Sequence, residues 1–245
     1  MKAFIREVFS SVQGEGPYIG RRQIFIRLGG CNLSCRYCDT EKSVDERPCR
    51  VEAVPGKRVF SEVQNPVRAR DLVSLVRERY PVDIHHSFSI TGGEPLLQVD
   101  FLTDLLPALK NTGLPVFLET NGTLPEGLAR VIGLVDIVSM DIKLPGTAGC
   151  PPLWDEHLRF LSIARKAEVF VKIVADDLSD ILECKRAADL VAGVDSGVTF
   201  IIQPRTEAGR CMLSPGRALY LQALALERLK DVRIIPQAHV MMGQL

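Results

Sequence analysis

Short apolar runs alternate with longer amphipathic stretches over most of the chain. The runs are brief and rich in β-branched and aromatic residues, as is typical of buried strands, and they predict strands at 23–28, 87–91, 116–119, 136–142, 168–174, 198–203 and 232–235. The stretches between them carry apolar residues at helical spacing and predict helices at 69–80, 101–110, 153–166, 179–192 and 215–230. Strand followed by helix is the arrangement that builds a parallel sheet with right-handed crossovers.

This alternation predicts an α/β fold, either an open sheet or a complete or partial barrel. About six strand–helix units favour a partial (β/α) barrel of about six parallel strands with outer helices. One stretch, from Ser43 to Gln64, interrupts the pattern with prolines and a glycine, and it predicts an inserted loop or hairpin. We therefore expect residues 1–245 to form a single domain with an insertion at about 43–64.

Charge and composition restrict the class of partner. The chain has 245 residues, of which 30 are basic and 30 acidic, so its formal net charge is +0. This balance gives no electrostatic reason to bind nucleic acid or a membrane surface, and it favours a small-molecule partner. No apolar run reaches the ~18 residues of a membrane span, and Met1 to Val8 is charged, unlike a secretory signal. We therefore expect a cytoplasmic protein whose cysteines are not paired as disulfides.

Three cysteines fall within one short segment after the first predicted strand. Cys31, Cys35 and Cys38 follow Gly29-Gly30, which places them on a loop at the carboxyl end of that strand, where α/β barrels carry their chemistry. Three thiolates suit an iron–sulfur cluster or zinc and leave a fourth position open. Unligated cysteines, or structural zinc with a distant fourth ligand, are the alternatives. No second close-spaced set is formed by the other cysteines, which are Cys49, Cys150, Cys184 and Cys211.

The spacing Cys-x3-Cys-x2-Cys, with Tyr37 before the last cysteine, resembles the signature of the radical S-adenosylmethionine (radical SAM) enzymes. The resemblance implies a partial barrel of the radical SAM type and a 4Fe-4S cluster held by Cys31, Cys35 and Cys38. It also implies that S-adenosylmethionine chelates the fourth iron and is cleaved to a 5′-deoxyadenosyl radical, which abstracts a substrate hydrogen. The cofactors would supply this chemistry, while the protein positions them and excludes water.

Glycines and polar residues follow several other predicted strands. Gly92-Gly93 would let the backbone come close to a ligand, and the Glu94 carboxylate could accept hydrogen bonds from an amino group. Asp141 and Lys143 have a simpler interpretation as a solvated ion pair. Lys172 is a polar residue in an apolar strand, which indicates that it points into the barrel. The resemblance implies cofactor contacts from Tyr37, Cys38, Asp39, Gly92, Gly93, Glu94, Asn121, Ser139, Asp141, Lys143 and Gln203.

The two ends of the chain carry a more specific resemblance. The amides and side chains of Gln13-Gly14-Glu15-Gly16 could pair with the edge of a flat heterocycle. Together with Arg27, Cys38-Asp39-Thr40 and the segment 233–239, this stretch is similar to the 7-carboxy-7-deazaguanine synthase family, with the motifs in the same order. The resemblance implies contraction of the ring of 6-carboxy-5,6,7,8-tetrahydropterin, with release of ammonia, on the route to queuosine and related deazapurines.

For this reaction the resemblance implies a magnesium ion on Thr40 and substrate contacts from Val12, Gln13, Gly14, Glu15, Arg27, Thr91 and His239. Arg27 could form a fork with the substrate carboxylate, while Gln13 and Glu15 could pair with pterin nitrogens. A single hydroxyl completed by substrate oxygens suits a hard cation. His239 has an equally good interpretation as a packed structural residue, and Thr40 as the residue that closes a turn.

The resemblance further implies a homodimer and a flavodoxin-like electron donor. Two other functions would use some of the same features. An activase that generates a glycyl radical on a protein partner would carry the same cysteine loop, and a binding module would hold structural zinc there. A requirement for a protein substrate would indicate the activase, and zinc without iron or acid-labile sulfide would indicate the binding module.

Overall fold

The computed structural model describes residues 1–38 and 47–244. Its strands are β1 (Lys2–Ala3), β2 (Ile5–Val12), β3 (Arg22–Leu28), β4 (Cys49–Val54), β5 (Val59–Val63), β6 (Val67–Arg68), β7 (Ser87–Gly92), β8 (Val116–Thr120), β9 (Ile137–Asp141), β10 (Glu168–Ala175), β11 (Thr199–Pro204), β12 (Thr206–Glu207), β13 (Arg210–Cys211) and β14 (Val232–Ile234). Its α-helices are α1 (Ala69–Arg79), α2 (Val99–Lys110), α3 (Pro125–Val131), α4 (Pro145–Ala148), α5 (Trp154–Ala164), α6 (Ile181–Asp195), α7 (Pro215–Leu226) and α8 (Ala238–Met241).

Ten of these strands form one sheet in the order β14-β11-β10-β9-β8-β7-β3-β2-β4-β5. Neighbours from β3 to β14 are parallel, so their carboxyl ends meet along one edge. β2 runs antiparallel to β3, and β4 lies parallel to β2 and antiparallel to β5. The predicted α/β fold is confirmed, with six parallel strands and β14 as a short seventh. In the described part of the chain, the outermost strands β14 and β5 do not pair with each other.

Alternate residues of the parallel strands face opposite sides of the sheet, as the pleat requires. Along β10, Val171 and Ile173 belong to the main hydrophobic core beneath the helices. Phe170 belongs to a smaller apolar cluster on the other face, and Lys172 lines a cavity further along that face. The inner face of the sheet is therefore apolar at one end and polar toward the carboxyl ends of the strands.

The predicted strands and helices are present, with ends displaced by a few residues. The sequence pattern does not predict β2, which pairs with β3, or the 7-residue α3. In the stretch predicted as an insertion, residues 49–63 form the β4–β5 hairpin, which extends the main sheet. Residues 43–46 of that stretch lie outside the described residues.

None of the helices within residues 1–38 and 47–244 combines the length and the apolar composition needed to cross a bilayer. α6, for example, has 15 residues, and its buried side chains recur every three or four positions at Cys184, Ala187, Ala188 and Val191. Such spacing places them on one face, which packs against the sheet and neighbouring helices.

Candidate active site

The carboxyl ends of the parallel strands surround a cavity of about 220 Å³. Asp39 and Thr40 lie outside the described residues, and Glu94 is fully buried. Every other residue that the sequence assigned to the site lines this cavity: Val12, Gln13, Gly14, Glu15, Arg27, Cys31, Cys35, Tyr37, Cys38, Thr91, Gly92, Gly93, Asn121, Ser139, Asp141, Lys143, Gln203 and His239. The cysteine loop, the candidate cofactor residues and the candidate substrate residues thus share one space.

The cysteine loop is held from outside by α4. The N–H of Arg36 donates to the carbonyl of Ala148 at 2.9 Å, and the thiols of Cys31 and Cys35 are half-buried while that of Cys38 is exposed. Across residues 1–38 and 47–244, no three His, Cys, Asp or Glu side chains converge on a single metal ion. Three thiols facing one cavity from one loop fit a cluster of several irons.

Burial and nearby groups set the pKa of two thiols of this loop, those of Cys31 and Cys35. Burial raises the pKa of the Cys35 thiol, and the ammonium of Lys143 acts in the opposite direction. Burial also raises the pKa of the Cys31 thiol, opposed by the N–H of Leu33, which donates to its Sγ at 3.4 Å. The Cys31 and Cys35 thiols therefore stay protonated at neutral pH until a metal displaces the proton.

Two glycines let the end of β7 approach the cysteine loop. A Cβ on Gly93 would lie 2.0 Å from the carbonyl oxygen of Gly30 and 2.8 Å from the Cβ of Cys31. Gly92 has a φ of +133°, and a Cβ there would lie 2.1 Å from the carbonyl oxygen of Leu28. Both positions require glycine, and the backbone of both lines the cavity.

The structure corrects the role predicted for Glu94. Its carboxylate is 0% exposed and accepts hydrogen bonds from the N–H of Leu96 at 3.1 Å, the hydroxyl of Thr120 at 2.9 Å and the N–H of Asn121 at 2.8 Å. Burial raises the pKa of Glu94 to about 7, although these donors lower it. Because the carboxylate joins the ends of β7 and β8, it is not available to a ligand amino group.

Asn121 connects three parts of the site. Its N–H donates to Glu94, its Nδ2 donates to Oδ1 of Asn32 on the cysteine loop at 2.9 Å, and its carbonyl accepts from Nε2 of His157 at 3.1 Å. Burial lowers the pKa of His157 to about 4, although the hydrogen bond to Asn121 raises it. His157 is therefore a neutral imidazole in the folded protein, with its proton on Nε2.

The buried His157 predicts a loss of stability in mild acid. An unfolded histidine binds a proton below about pH 6.5, whereas folded His157 resists protonation down to about pH 4, so the unfolded state gains protons as the pH falls. At pH 5 this costs about 2 kcal/mol relative to pH 7.5. Urea unfolding of wild type and of His157→Gln at both pH values measures this cost. From pH 7.5 to pH 5, the free energy of unfolding should fall by about 2 kcal/mol less in the variant than in wild type. An equal fall in both proteins would contradict the assignment.

Four charged side chains form a line of ion pairs along the cavity wall. Glu15 contacts Lys172, the Nζ of Lys172 lies 3.2 Å from Oδ2 of Asp141, and the Nζ of Lys143 lies 2.9 Å from the same oxygen. Burial lowers the pKa of Lys143, but Asp141 and Tyr37 outweigh it and hold this pKa well above its ordinary value. Asp141 is buried and Lys143 is largely shielded from water, so they do not form the solvated ion pair considered as an alternative. Because opposite charges alternate along the line, each buried charge has a partner.

The side chain of Gln13 is engaged by the protein itself. Its Nε2 donates to Oε1 of Gln23 at 3.0 Å and to Oε1 of Glu119 at 2.8 Å, and its Oε1 accepts from the N–H of Glu15 at 3.0 Å. Glu119 also accepts from the hydroxyl of Thr91 at 2.7 Å. Both amide hydrogens of Gln13 are therefore used and its side chain shapes the loop before β3, while its pairing with pterin nitrogens stays a prediction.

Arg27 brings a guanidinium to the same cavity. Its Nε lies 3.6 Å from Oε2 of Glu7, and its guanidinium carbon lies 5.6 Å from the centroid of the Phe9 ring. In the register between β3 and β7, Arg27 lies beside Thr91. A guanidinium next to a hydroxyl suits a ligand that carries a carboxylate.

His239 closes the cavity from the C-terminal segment. A Cβ on Gly14 would lie 2.1 Å from Nδ1 of His239, and the N–H of Ala238 donates to the carbonyl of Gly14 at 2.9 Å. Gly14 is thus required by the close approach of this ring, which both packs against the backbone and lines the cavity.

Six further polar residues line the cavity and were not assigned to the site from sequence: Glu119, Thr120, Lys172, Arg205, Thr206 and Gln237. Two of them could have been found from the sequence: Lys172 is a charged residue inside an apolar strand, and Glu119 is a charged residue at the end of a predicted strand. Gln237 stands in the terminal segment that carried the resemblance. Nothing in the local sequence marks Arg205, whose Nε lies 2.8 Å from Oδ2 of Asp176.

Solved structures share this fold. QueE from Escherichia coli aligns with a TM-score of 0.64 at 22% sequence identity, covering 98% of this chain and 95% of that chain. Streptococcus suis SuiB aligns with a TM-score of 0.59 at 13% identity, covering 90% of this chain and 50% of that chain. At these identities the likeness concerns the fold alone.

Sequence comparison identifies the family of the chain. The radical SAM superfamily matches residues 25–176. The 7-carboxy-7-deazaguanine synthase of Geobacter sulfurreducens is 50% identical over 246 residues, covering 99% of this chain and 98% of that protein. The protein of the same name from Methanothermobacter thermautotrophicus is 34% identical, again covering 99% and 98%. The chain therefore belongs to the radical SAM superfamily and, within it, to the family of 7-carboxy-7-deazaguanine synthases.

Proposed function

We propose that this protein is a 7-carboxy-7-deazaguanine synthase, which contracts the ring of 6-carboxy-5,6,7,8-tetrahydropterin to 7-carboxy-7-deazaguanine and releases ammonia. The observation that carries the proposal is that one cavity is lined both by three thiols of a radical SAM loop and by the Arg27 guanidinium with Glu15. The relative with 50% identity over nearly the whole of both chains supports the same reaction.

Membership of the radical SAM superfamily implies a 4Fe-4S cluster and S-adenosylmethionine. We propose that Cys31, Cys35 and Cys38 hold the cluster. When bound, the two cofactors supply one-electron cleavage of the sulfonium and removal of a hydrogen atom from the substrate. The residues proposed to hold S-adenosylmethionine are the backbone of Gly92 and Gly93 with the side chains of Tyr37, Asn121, Ser139, Asp141 and Lys143, all of which line the cavity.

Unpartnered polar atoms support this placement. The hydroxyl of Tyr37 and Oδ1 of Asp141 are buried and have no hydrogen-bond partner among the described residues. Buried polar groups cost about 1–3 kcal/mol each when unpaired, so these two atoms favour a ligand that supplies a hydrogen-bond acceptor and a donor. Burial raises the pKa of Tyr37, which keeps its hydroxyl a donor at neutral pH.

At the other end of the cavity, the chain's own residues bind and orient the substrate. The Arg27 guanidinium forms charge-assisted hydrogen bonds with the substrate carboxylate. Thr91, beside it in register, donates to Glu119 and offers its oxygen as an acceptor. Gly14 and His239 shape this end of the cavity and exclude water from it.

Thr40 is proposed to bind magnesium together with oxygens of the substrate. Because Mg²⁺ takes few protein oxygens and keeps several waters, Thr40→Ala is expected to raise by at least about tenfold the magnesium concentration that gives half-maximal turnover, with iron content unchanged. Thr112→Ala, which removes a hydroxyl bonded to the Leu109 carbonyl far from the cavity, is the matched control. A magnesium response identical to wild type would remove Thr40 from the metal site.

The test of the function is an anaerobic assay of reconstituted protein with S-adenosylmethionine, a strong reductant, magnesium and 6-carboxy-5,6,7,8-tetrahydropterin, followed by mass spectrometry. We expect 7-carboxy-7-deazaguanine together with ammonia. Formation of 5′-deoxyadenosine without that product would retain the radical chemistry and refute the substrate. Zinc in place of iron and sulfide in the anaerobically purified protein would refute both.

Of the next three assignments, the homodimer and the electron donor rest on the family resemblance. We propose a homodimer, a flavodoxin-like electron donor and a cytoplasmic location. Light scattering coupled to size exclusion tests the first, and replacement of the chemical reductant by reduced flavodoxin in the assay tests the second. We also propose that residues 1–245 form one domain in which 43–64 is an insertion, an arrangement supported by the pairing of the β4–β5 hairpin with β2.

A further inference from the structure

At the substrate end of the cavity, the half-buried carboxylate of Glu15 and the buried amide of Gln203 each have an oxygen that can accept a further hydrogen bond. Oε1 of Glu15 accepts from Nε2 of Gln203 at 3.2 Å and from Nε2 of Gln237 at 2.9 Å, whereas the ammonium of Lys172 is bonded to Oε2. A carboxylate oxygen has two lone pairs, which leaves one on Oε2. Oε1 of Gln203, itself 2% exposed, has no hydrogen-bond partner in the described part of the chain. We call Glu15 and Gln203 the acceptor pair.

The charge of Glu15 fixes the direction of the amide groups beside it. An ionised carboxylate only accepts hydrogen bonds, so Gln203 and Gln237 must both turn their NH2 groups toward it. The oxygen of Gln203 then necessarily points away from Glu15, where it remains an acceptor. If Glu15 carried a proton, it would become a donor on one oxygen, and the amide of Gln203 would be free to reverse.

Lys172 is the residue that keeps Glu15 ionised. Burial raises the pKa of Glu15, but the charge and hydrogen bond of Lys172 and the hydrogen bond of Gln237 outweigh burial and lower this pKa to about 2. On its other side Lys172 lies 3.2 Å from Asp141, which is itself paired with Lys143. His239 also faces Glu15 and adds a smaller effect of the same sign. Lys172 is thus held in place by carboxylates on both sides.

We propose that Lys172 is a positioning residue that acts through Glu15. By keeping Glu15 ionised, it ensures that the acceptor pair accepts hydrogen bonds and donates none. The acceptor pair thereby selects substrates whose edge carries two adjacent N–H donors. The pyrimidine edge of a 2-amino-4-oxopteridine, with its ring N–H and its 2-amino group, has this pattern. The inference deepens the proposed function and rests on it for the identity of the substrate. It assigns no chemical step to Lys172.

The test measures binding by equilibrium dialysis with reconstituted full-length protein and S-adenosylmethionine, without reductant, so that no turnover occurs. The probes are 6-carboxypterin and 6-carboxylumazine, in which an oxygen replaces the 2-amino group. Because that oxygen would face acceptors, wild type should prefer the pterin by at least about tenfold. Lys172→Met should weaken pterin binding by at least about tenfold at pH 7 and abolish most of the preference.

The pH profile separates this role from a structural one. Without the cation, burial raises the pKa of Glu15, so the carboxylate takes up a proton as the pH falls. The ratio of the Lys172→Met Kd to the wild-type Kd should therefore grow from pH 8 to pH 5.5. Lys172→Arg, which keeps the charge, should restore the preference for pterin, and Lys166→Met, an exposed lysine before β10, should equal wild type. His239 is unchanged in all variants.

Each outcome decides between the inference and the function on which it rests. A folded Lys172→Met variant with wild-type preference and a constant Kd ratio overturns the inference while turnover by wild type still supports the synthase. Wild type that prefers pterin but makes no 7-carboxy-7-deazaguanine supports the inference and refutes the reaction. Failure of wild type to bind 6-carboxypterin overturns the inference, and failure to make 7-carboxy-7-deazaguanine as well overturns both. Circular dichroism establishes folding of each variant.

Discussion

Turnover of the Cys35→Ala variant is expected to fall by at least about three orders of magnitude, because the substitution removes one of the three thiols proposed to hold the cluster. Cys35 lines the cavity and its thiol is half-buried beside Lys143. The loop carrying it is anchored through Arg36 to α4, so the fold should survive the substitution. Iron and sulfide analysis after anaerobic reconstitution, followed by the product assay, measures both effects.

Cys211→Ala is the matched control for that experiment. Cys211 is exposed on β13, and its Sγ donates to the carbonyl of Leu213. The control should retain wild-type iron content and turnover. Full activity in Cys35→Ala would refute the assignment of the cysteine loop as the cluster site, and with it the radical mechanism.

Gly93→Ala is expected to have the second largest effect. Its Cβ would lie 2.0 Å from the backbone oxygen of Gly30 and 2.8 Å from the Cβ of Cys31, and neither atom belongs to a flexible side-chain end. The cysteine loop would therefore have to move away from β7 to avoid these two contacts. We expect a loss of about 1–3 kcal/mol in the free energy of unfolding and at least about a hundredfold loss of turnover, since misplacement by about 1 Å can cost that much.

Gly133→Ala is the control, because a Cβ at Gly133 meets no atom within 4 Å. It should match wild type in urea unfolding, iron content and turnover. If Gly93→Ala also matched wild type in these three measurements, the close approach of β7 to the cysteine loop would not matter for the site. Reduced turnover with normal iron content would place the damage on S-adenosylmethionine binding.

The parallel part of the fold could be predicted because its signals are local. β7 to β11 are short, mostly buried runs, and all except β8 precede a stretch with helical hydrophobic spacing, so hydrophobic spacing alone indicates them. β2 was missed because its structure depends on a non-local partner. Its sequence, IREVFSSV, mixes charged, apolar and hydroxyl residues, and pairing with β3 decides its conformation.

The sequence predicts which residues form the candidate site, but it does not predict which way their side chains point. The motifs identify Gln13 and Glu94, yet the structure turns both side chains into the protein, where strand ends supply their partners. Those partners come from other strands: Glu119 on β8 for Gln13, and Thr120 and Asn121 for Glu94. Whether a polar side chain serves the fold or a ligand depends on such distant partners, which spacing along the chain does not reveal.

The meeting of the two ends of the chain has a consequence for the order of synthesis. The loop of Gln13 to Gly16 is bound by Gln237 and Ala238 and covered by His239. A growing chain emerges from its amino terminus, so the loop, the cysteines and most of the sheet precede these closing residues. We therefore expect this end of the cavity to stay open in a nascent chain until residues 237–239 have left the ribosome.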